Sequence, residues 1–157
     1  MKLMRMTAAA GALLVLTSCA LTTEAITQKP YAPSDGIRVQ LDNDVVFENL
    51  MIVSDGSGEG VLYGSISNRT YDEVTAEISA DGIDESFTLE GRSAINLGTL
   101  EDIEKDELIM LEGDFQPGYN MDSTVIAGDA ESRAAIPVIS ACHIDYVDAF
   151  PGGADCD

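Results

Sequence analysis

From Ile37 onward, runs rich in Val, Ile, Thr, Tyr and Phe alternate with clusters of Gly, Asp and Asn. A burst about every ten residues is the strand-and-turn rhythm of a sandwich or barrel. It predicts strands over Arg38–Leu41, Val45–Val53, Gly60–Ser67, Glu73–Ala80, Glu85–Glu90, Ser93–Leu97, Glu107–Glu112, Met121–Ala127 and Arg133–Ile139. Within Glu73–Ala80, Val74, Ala76 and Ile78 share one face and Thr75, Glu77 and Ser79 the other, as when one face of a sheet is buried and one is wet. Within Gly60–Ser67 the same rule turns Leu62, Gly64 and Ile66 to the core and Val61, Tyr63 and Ser65 away from it. Helical periodicity is weak, and only 100–106 reads as one turn. Asp55-Gly56-Ser57-Gly58, Asn68-Arg69-Thr70, Asp81-Gly82 and Gln116-Pro117-Gly118 supply the turns.

The first residues follow a different pattern. Lys2 and Arg5 precede an apolar run from Ala8 to Leu16, and small residues Thr17 and Ser18 lead to Cys19. This is the layout of a secretory signal peptide, and the run is shorter than the ~20 residues of a spanning helix. Leu16-Thr17-Ser18-Cys19 also resembles the bacterial lipobox, which implies cleavage before Cys19 and diacylation of its thiol. Two acyl chains, at ~0.8 kcal/mol per buried CH₂, hold a protein on a bilayer where one does so only marginally. The competing reading is an ordinary secreted chain cut nearby, with Cys19 free.

Ala20 to Gly36 has no sustained period and contains Pro30, Pro33 and several Thr and Ser. It reads as a tether with an extended reach of ~55–60 Å. The expected organisation is a leader at 1–18, a lipidated tether at 19–36, one sandwich at 37–141 and a tail at 142–157. That arrangement places the domain on the outer face of the bacterial cytoplasmic membrane.

Charge narrows the partners. Eight basic residues face 28 acidic ones, a formal charge of −20, and loss of the leader with Lys2 and Arg5 makes it more negative still. Such a surface repels phosphate backbones and anionic headgroups, so no nucleic acid is expected and membrane attachment falls to the lipid on Cys19. The remaining partner is an extracytoplasmic protein or ligand that these residues do not identify.

The sequence from Tyr31-Ala-Pro-Ser-Asp-Gly36 through VVFENLMIVSDG and GVLYGSISN to Phe115-Gln-Pro-Gly118 and Ile136-Pro-Val138 resembles the lipid-anchored PCu(A)C-like proteins of actinobacteria. The resemblance spans most of residues 31 to 140. It implies an all-β, antiparallel β-sandwich, cupredoxin-like or immunoglobulin-like, and it does not by itself imply copper. Copper-binding relatives carry His, ten residues, Met, 21 residues, then His-x-Met. With Met110 as the last ligand, the other three positions fall on Leu108, Ser86 and Thr75, so one ligand of four is present.

The candidate chemistry is correspondingly sparse. Met51, Met110 and Met121 with the lone His143 form the available soft donor set for Cu(I), although methionines in strands more often fill core gaps. Cys142-His143 could ligate a metal or act as a nucleophile. The preferred reading is a Cys142–Cys156 disulfide, because lipid on Cys19 leaves an even number of thiols in an oxidising compartment. Asp55 to Gly60 imitates half of an EF-hand loop, but Ile66 stands where the bidentate Glu belongs, and a hairpin turn is expected instead. Clusters such as Asp42-Asn43-Asp44 could bind Ca²⁺ loosely, but a solvated acidic face is the preferred reading. Asn68-Arg69-Thr70 matches an N-glycosylation sequon. Esterase, zinc-protease, P-loop and dinucleotide motifs are absent, a Ser-His-Asp triad would have to use His143, and a chain without Trp makes a poor sugar cleft. The expectation is a non-catalytic binding or scaffold module without a required cofactor, with copper handling as the alternative.

Overall fold

The computed structural model describes residues 34–98 and 108–156. The leader and all but the end of the tether lie outside these residues, as does the helical turn expected at 100–106. The strands are β1 (Ile37–Gln40), β2 (Val45–Ser54), β3 (Glu59–Asn68), β4 (Val74–Ala80), β5 (Ile83–Leu89), β6 (Ala94–Asn96), β7 (Met110–Glu112), β8 (Asn120–Ala127) and β9 (Ala130–Ser140). Each overlaps a run predicted from the alternation. The main differences are at ends, where turn residues rather than apolar ones set the limit.

The strands follow the order β5-β4-β8-β9-β2-β3-β6, with β1 added to β2 and β7 to β3. β9 links the two layers. Its first part pairs with β8 as far as Asn120↔Pro137, and from Val138 it runs beside β2 through Ile52↔Val138, Val53↔Ile139 and Ser54↔Ser140. Pro137 has no N–H to give a ladder, so the handover between layers falls where a missing donor costs least. The β2–β9 pairing is parallel; the other pairings among the described residues are antiparallel.

A bulge sets which face of β2 is buried. Glu48 pairs with Ser65 and Met51 with Tyr63, so β2 carries one residue more than β3 between these points. Asn49 adopts φ +53 there, a left-handed conformation that Asn tolerates better than most residues. Its side chain accepts a 3.0 Å hydrogen bond from the Gly36 amide. A Cβ on Gly36 would lie 2.4 Å from the Asn49 carbonyl carbon, so glycine is required for this close approach. The extra residue flips the alternation. Val45 and Phe47 face the core before it, and Leu50 and Ile52 after it, which turns Met51 and Val53 to the other side.

Between the layers, Phe47, Leu50, Ile52, Leu62, Ile66, Ile78, Phe115, Val125 and Ile136 are fully buried. Each such side chain contributes roughly 1.5–3 kcal/mol relative to exposure. β4 matches its predicted alternation, with Ala76 and Ile78 buried and Thr75, Glu77 and Ser79 exposed. β3 matches only half of its own: Leu62 and Ile66 face the core, but Val61 and Tyr63 are also buried. Sequence alternation assigned them to solvent, and the reason for the correction lies in the C-terminal segment.

Candidate functional site

Residues 142–156 fold back over the outer face of β2 and β3. Phe150 is 6% exposed and joins Met51, Val53, Val61, Tyr63 and Ala141 in a second apolar cluster, with Tyr146, Ala149 and Ala154 packed around it. A 3-10 turn at Val147–Ala149 carries the chain across, with the Tyr63 hydroxyl donating to the Ala149 carbonyl. Cys142 and Cys156 are joined by a disulfide, with Cα atoms 5.6 Å apart. Closing a loop of about 15 residues stabilises by roughly 3 kcal/mol in the entropic account.

Two carboxylates hold the edges of this strap. The Asp55 carboxylate, in the β2–β3 turn, accepts from the Asp155 amide at 3.0 Å and from the Ser57 amide at 2.9 Å. Its pKa is lowered, chiefly by a hydrogen bond with the Ser57 side chain; burial opposes this as the next largest effect, and the Asp155 and Ser57 amides lower it further. The Tyr146 hydroxyl donates to Asp35. Burial first, then the bond to Asp35 and the charges of Asp35 and Asp145, push its pKa up to about 12. The spacing of Tyr146 and Phe150 between the two cysteines was the available trace of this strap in the sequence, but it is too short to register as periodicity.

The proposed soft donors are distributed around the sandwich. Met51 lies under the strap at 6% exposure, whereas Met110 on β7 is 43% exposed. Met110 pairs with Val61 and Met51 with Tyr63, so both face outward from the same sheet, separated by about two strand spacings of 4.8 Å. Met121 instead packs against the inner core, and the sheet lies between it and Met51. His143 stands at the start of the strap, where its Nδ1 is 3.5 Å from an Asp145 carboxylate oxygen. The positions obtained from the relatives' ligand spacing do not converge either. Thr75 and Ser86 are exposed on β4 and β5, across the sandwich from Met110. Among the described residues no three His, Cys, Asp or Glu side chains gather as a metal-binding group.

Asn68 belongs to the architecture. It is 1% exposed, its side-chain nitrogen donates to the carbonyls of Asp72 and Glu90 at 2.8 and 3.0 Å, and its oxygen accepts from the Thr70 amide and hydroxyl. The sequon pattern is thus a turn that ties the β3–β4 and β5–β6 connections together. Asp55 to Gly58 forms the β2–β3 hairpin turn and Glu59 and Gly60 already belong to β3, with the Ser54 hydroxyl donating to the Glu59 carbonyl at 2.6 Å. An open groove of about 500 Å³ runs along the β8–β9 hairpin between Asp122, Thr124 and Arg133; it contains none of the residues singled out from the sequence. No helix among the described residues is long and apolar enough to cross a membrane.

No family model matches the sequence, and no curated protein matches it significantly. Solved structures do. The chain is similar to the apo PCuAC domain of PmoF2, with a TM-score of 0.52 at 11% identity over 68% of this chain and 97% of that one. A copper-bound PCuAC domain from PmoF2 gives 0.47 at 10% identity, covering 66% and 97%, and an apo PCuAC domain from PmoF1 gives 0.47 at 13%, covering 66% and 98%. The class the fold defines is therefore an all-β, cupredoxin-like sandwich of PCuAC type.

Proposed function

We propose that this chain is a lipid-anchored, extracytoplasmic binding or scaffold module that works without catalysis. The observation that carries the reading is the sequence Leu16-Thr17-Ser18-Cys19 followed by a Pro- and Thr-containing tether and then a PCuAC-type sandwich. The lipid fixes the domain to the outer face of the membrane, and the tether gives it reach. A disulfide between Cys142 and Cys156 suits the oxidising exterior that this placement requires. Intact mass of protein extracted from native membranes tests the anchor. A chain beginning at Cys19 and carrying acyl groups supports it; an unacylated chain, or one beginning elsewhere, refutes it.

A second reading, copper handling, is favoured by the PCuAC-type fold together with the exposed thioether of Met110. Thioether and imidazole suit Cu(I), and Met110, His143 or a second molecule would have to supply the site between them. Cu(I) titration of the full chain separates the readings. Sub-micromolar binding lost in Met110→Leu establishes copper handling, and its absence leaves the scaffold.

A further inference from the structure

The strap over β2 and β3 combines a removable bond with a buried apolar face. Both bonded cysteines are exposed, so an attacking thiolate can reach the bridge. Beneath the strap lie Met51, Val53, Val61 and Tyr63, which alternation along their strands directs away from the main core. Besides the disulfide, the strap's contacts include the packing of Phe150, Tyr146, Ala149 and Ala154, the Tyr63–Ala149 hydrogen bond and the two carboxylate contacts at Asp35 and Asp55. The main core, between the layers, contains none of the strap residues. Loss of the strap therefore leaves the sandwich with its own core.

We propose that residues 142–156 form a redox-operated cover, which reduction of Cys142–Cys156 releases to expose the apolar outer face around Met51 and Tyr63. The reductant is a dithiol. One of its thiolates attacks a bridge sulfur, expelling the other cysteine as a thiolate and forming a mixed disulfide. The second thiol of the reductant then displaces the protein sulfur, leaving an oxidised reductant and two cysteine thiols after transfer of two electrons and two protons. Bridged, the segment is a closed ring hinged at Ala141 that keeps Phe150 beside Tyr63. Open, it can extend away, and the conformational freedom regained raises the detached population about a hundredfold for a loop of this length. The inference does not depend on whether Cys19 carries lipid.

Hydrogen exchange on the full chain, before and after dithiothreitol, tests the cover, with reduction verified by mass. The amides of Tyr146 and Ala149, which bond within the strap to the His143 and Tyr146 carbonyls, are expected to exchange about a hundredfold faster. Peptides from β4, β5 and β8 should keep their protection. A Cys142→Ser/Cys156→Ser chain supplies an independent readout through methionine oxidation by peroxide. Met51 should oxidise many times faster than in the bridged protein, while exposed Met110 serves as an unchanged reference. Unchanged strap protection after verified reduction, equal Met51 oxidation in the two chains, or loss of protection in β4, β5 and β8 together with the strap would each overturn the proposal.

Discussion

Asn49 carries a structural load out of proportion to its place in an apolar strand. Its left-handed backbone and its bond to Gly36 create the bulge that points Leu50 and Ile52 inward. Asn49→Ala combines a left-handed penalty of about 1–2 kcal/mol with the loss of a hydrogen bond worth about 1 kcal/mol. Asn49→Gly loses only the bond, so denaturant unfolding should rank Gly as the milder change by about 1–2 kcal/mol. The bulge was not legible from the pattern because an Asn between two apolar groups also fits an uninterrupted strand. Tyr146 offers a titration. Since its pKa is raised from 10.0 to about 12, the folded protein retains a proton that the unfolded chain releases, and stability falls as pH rises between these values. Subtracting the ultraviolet titration of Tyr146→Phe from that of the parent should leave a component near pH 12. For Asp55 the sign is opposite: its lowered pKa adds stability above the ordinary value of 3.8, lost as pH falls through the folded one.

At the scale of elements, strands were readable wherever one face is wet. β4 is the clear case, because Val74, Ala76 and Ile78 alternate with polar partners. β3 was readable as a strand but not as to its burial, since nothing local announces that a distant segment will cover Val61 and Tyr63. The difference has an energetic consequence. Phe47 lies in the core between the layers, and Phe47→Ala is expected to cost about 3–5 kcal/mol. Phe150 belongs to a strap that can detach locally, so its truncation cannot cost more than detaching the strap. Phe150→Ala should therefore show the smaller loss in denaturant melts, with its altered hydrogen exchange confined to residues 142–156 and the strands beneath them.

Across the whole molecule the dominant physical fact is charge. Against a formal charge of −20, Arg38 and Arg69 among the described residues both turn to Glu48, at 3.2 and 3.5 Å on the surface. Such pairs are individually weak, while the net repulsion acts over the whole fold and is screened by salt. The melting temperature should accordingly rise as sodium chloride increases from 10 to about 500 mM, where the Debye length drops from about 30 Å to below 8 Å. A melting temperature that falls over this range would mean that local pairs outweigh the net repulsion. The same charge field disfavours contact of the domain with anionic lipid.

The sequence by itself determined the strand-rich class, most strand positions and the turns, because side-chain alternation and glycine-bearing turns are local properties of the chain. It also led, through cysteine parity, to the pairing of Cys142 with Cys156. Only the tertiary structure decided the parity of β2, the exchange of β9 between layers, the separation of Met51 from Met121 and the covering of Tyr63. Each depends on segments far apart in sequence: Gly36 against Asn49, Val138 against Ile52, Phe150 against Tyr63. Burial is a property of what lies opposite a residue, and along a single chain the opposite surface is not written next to it.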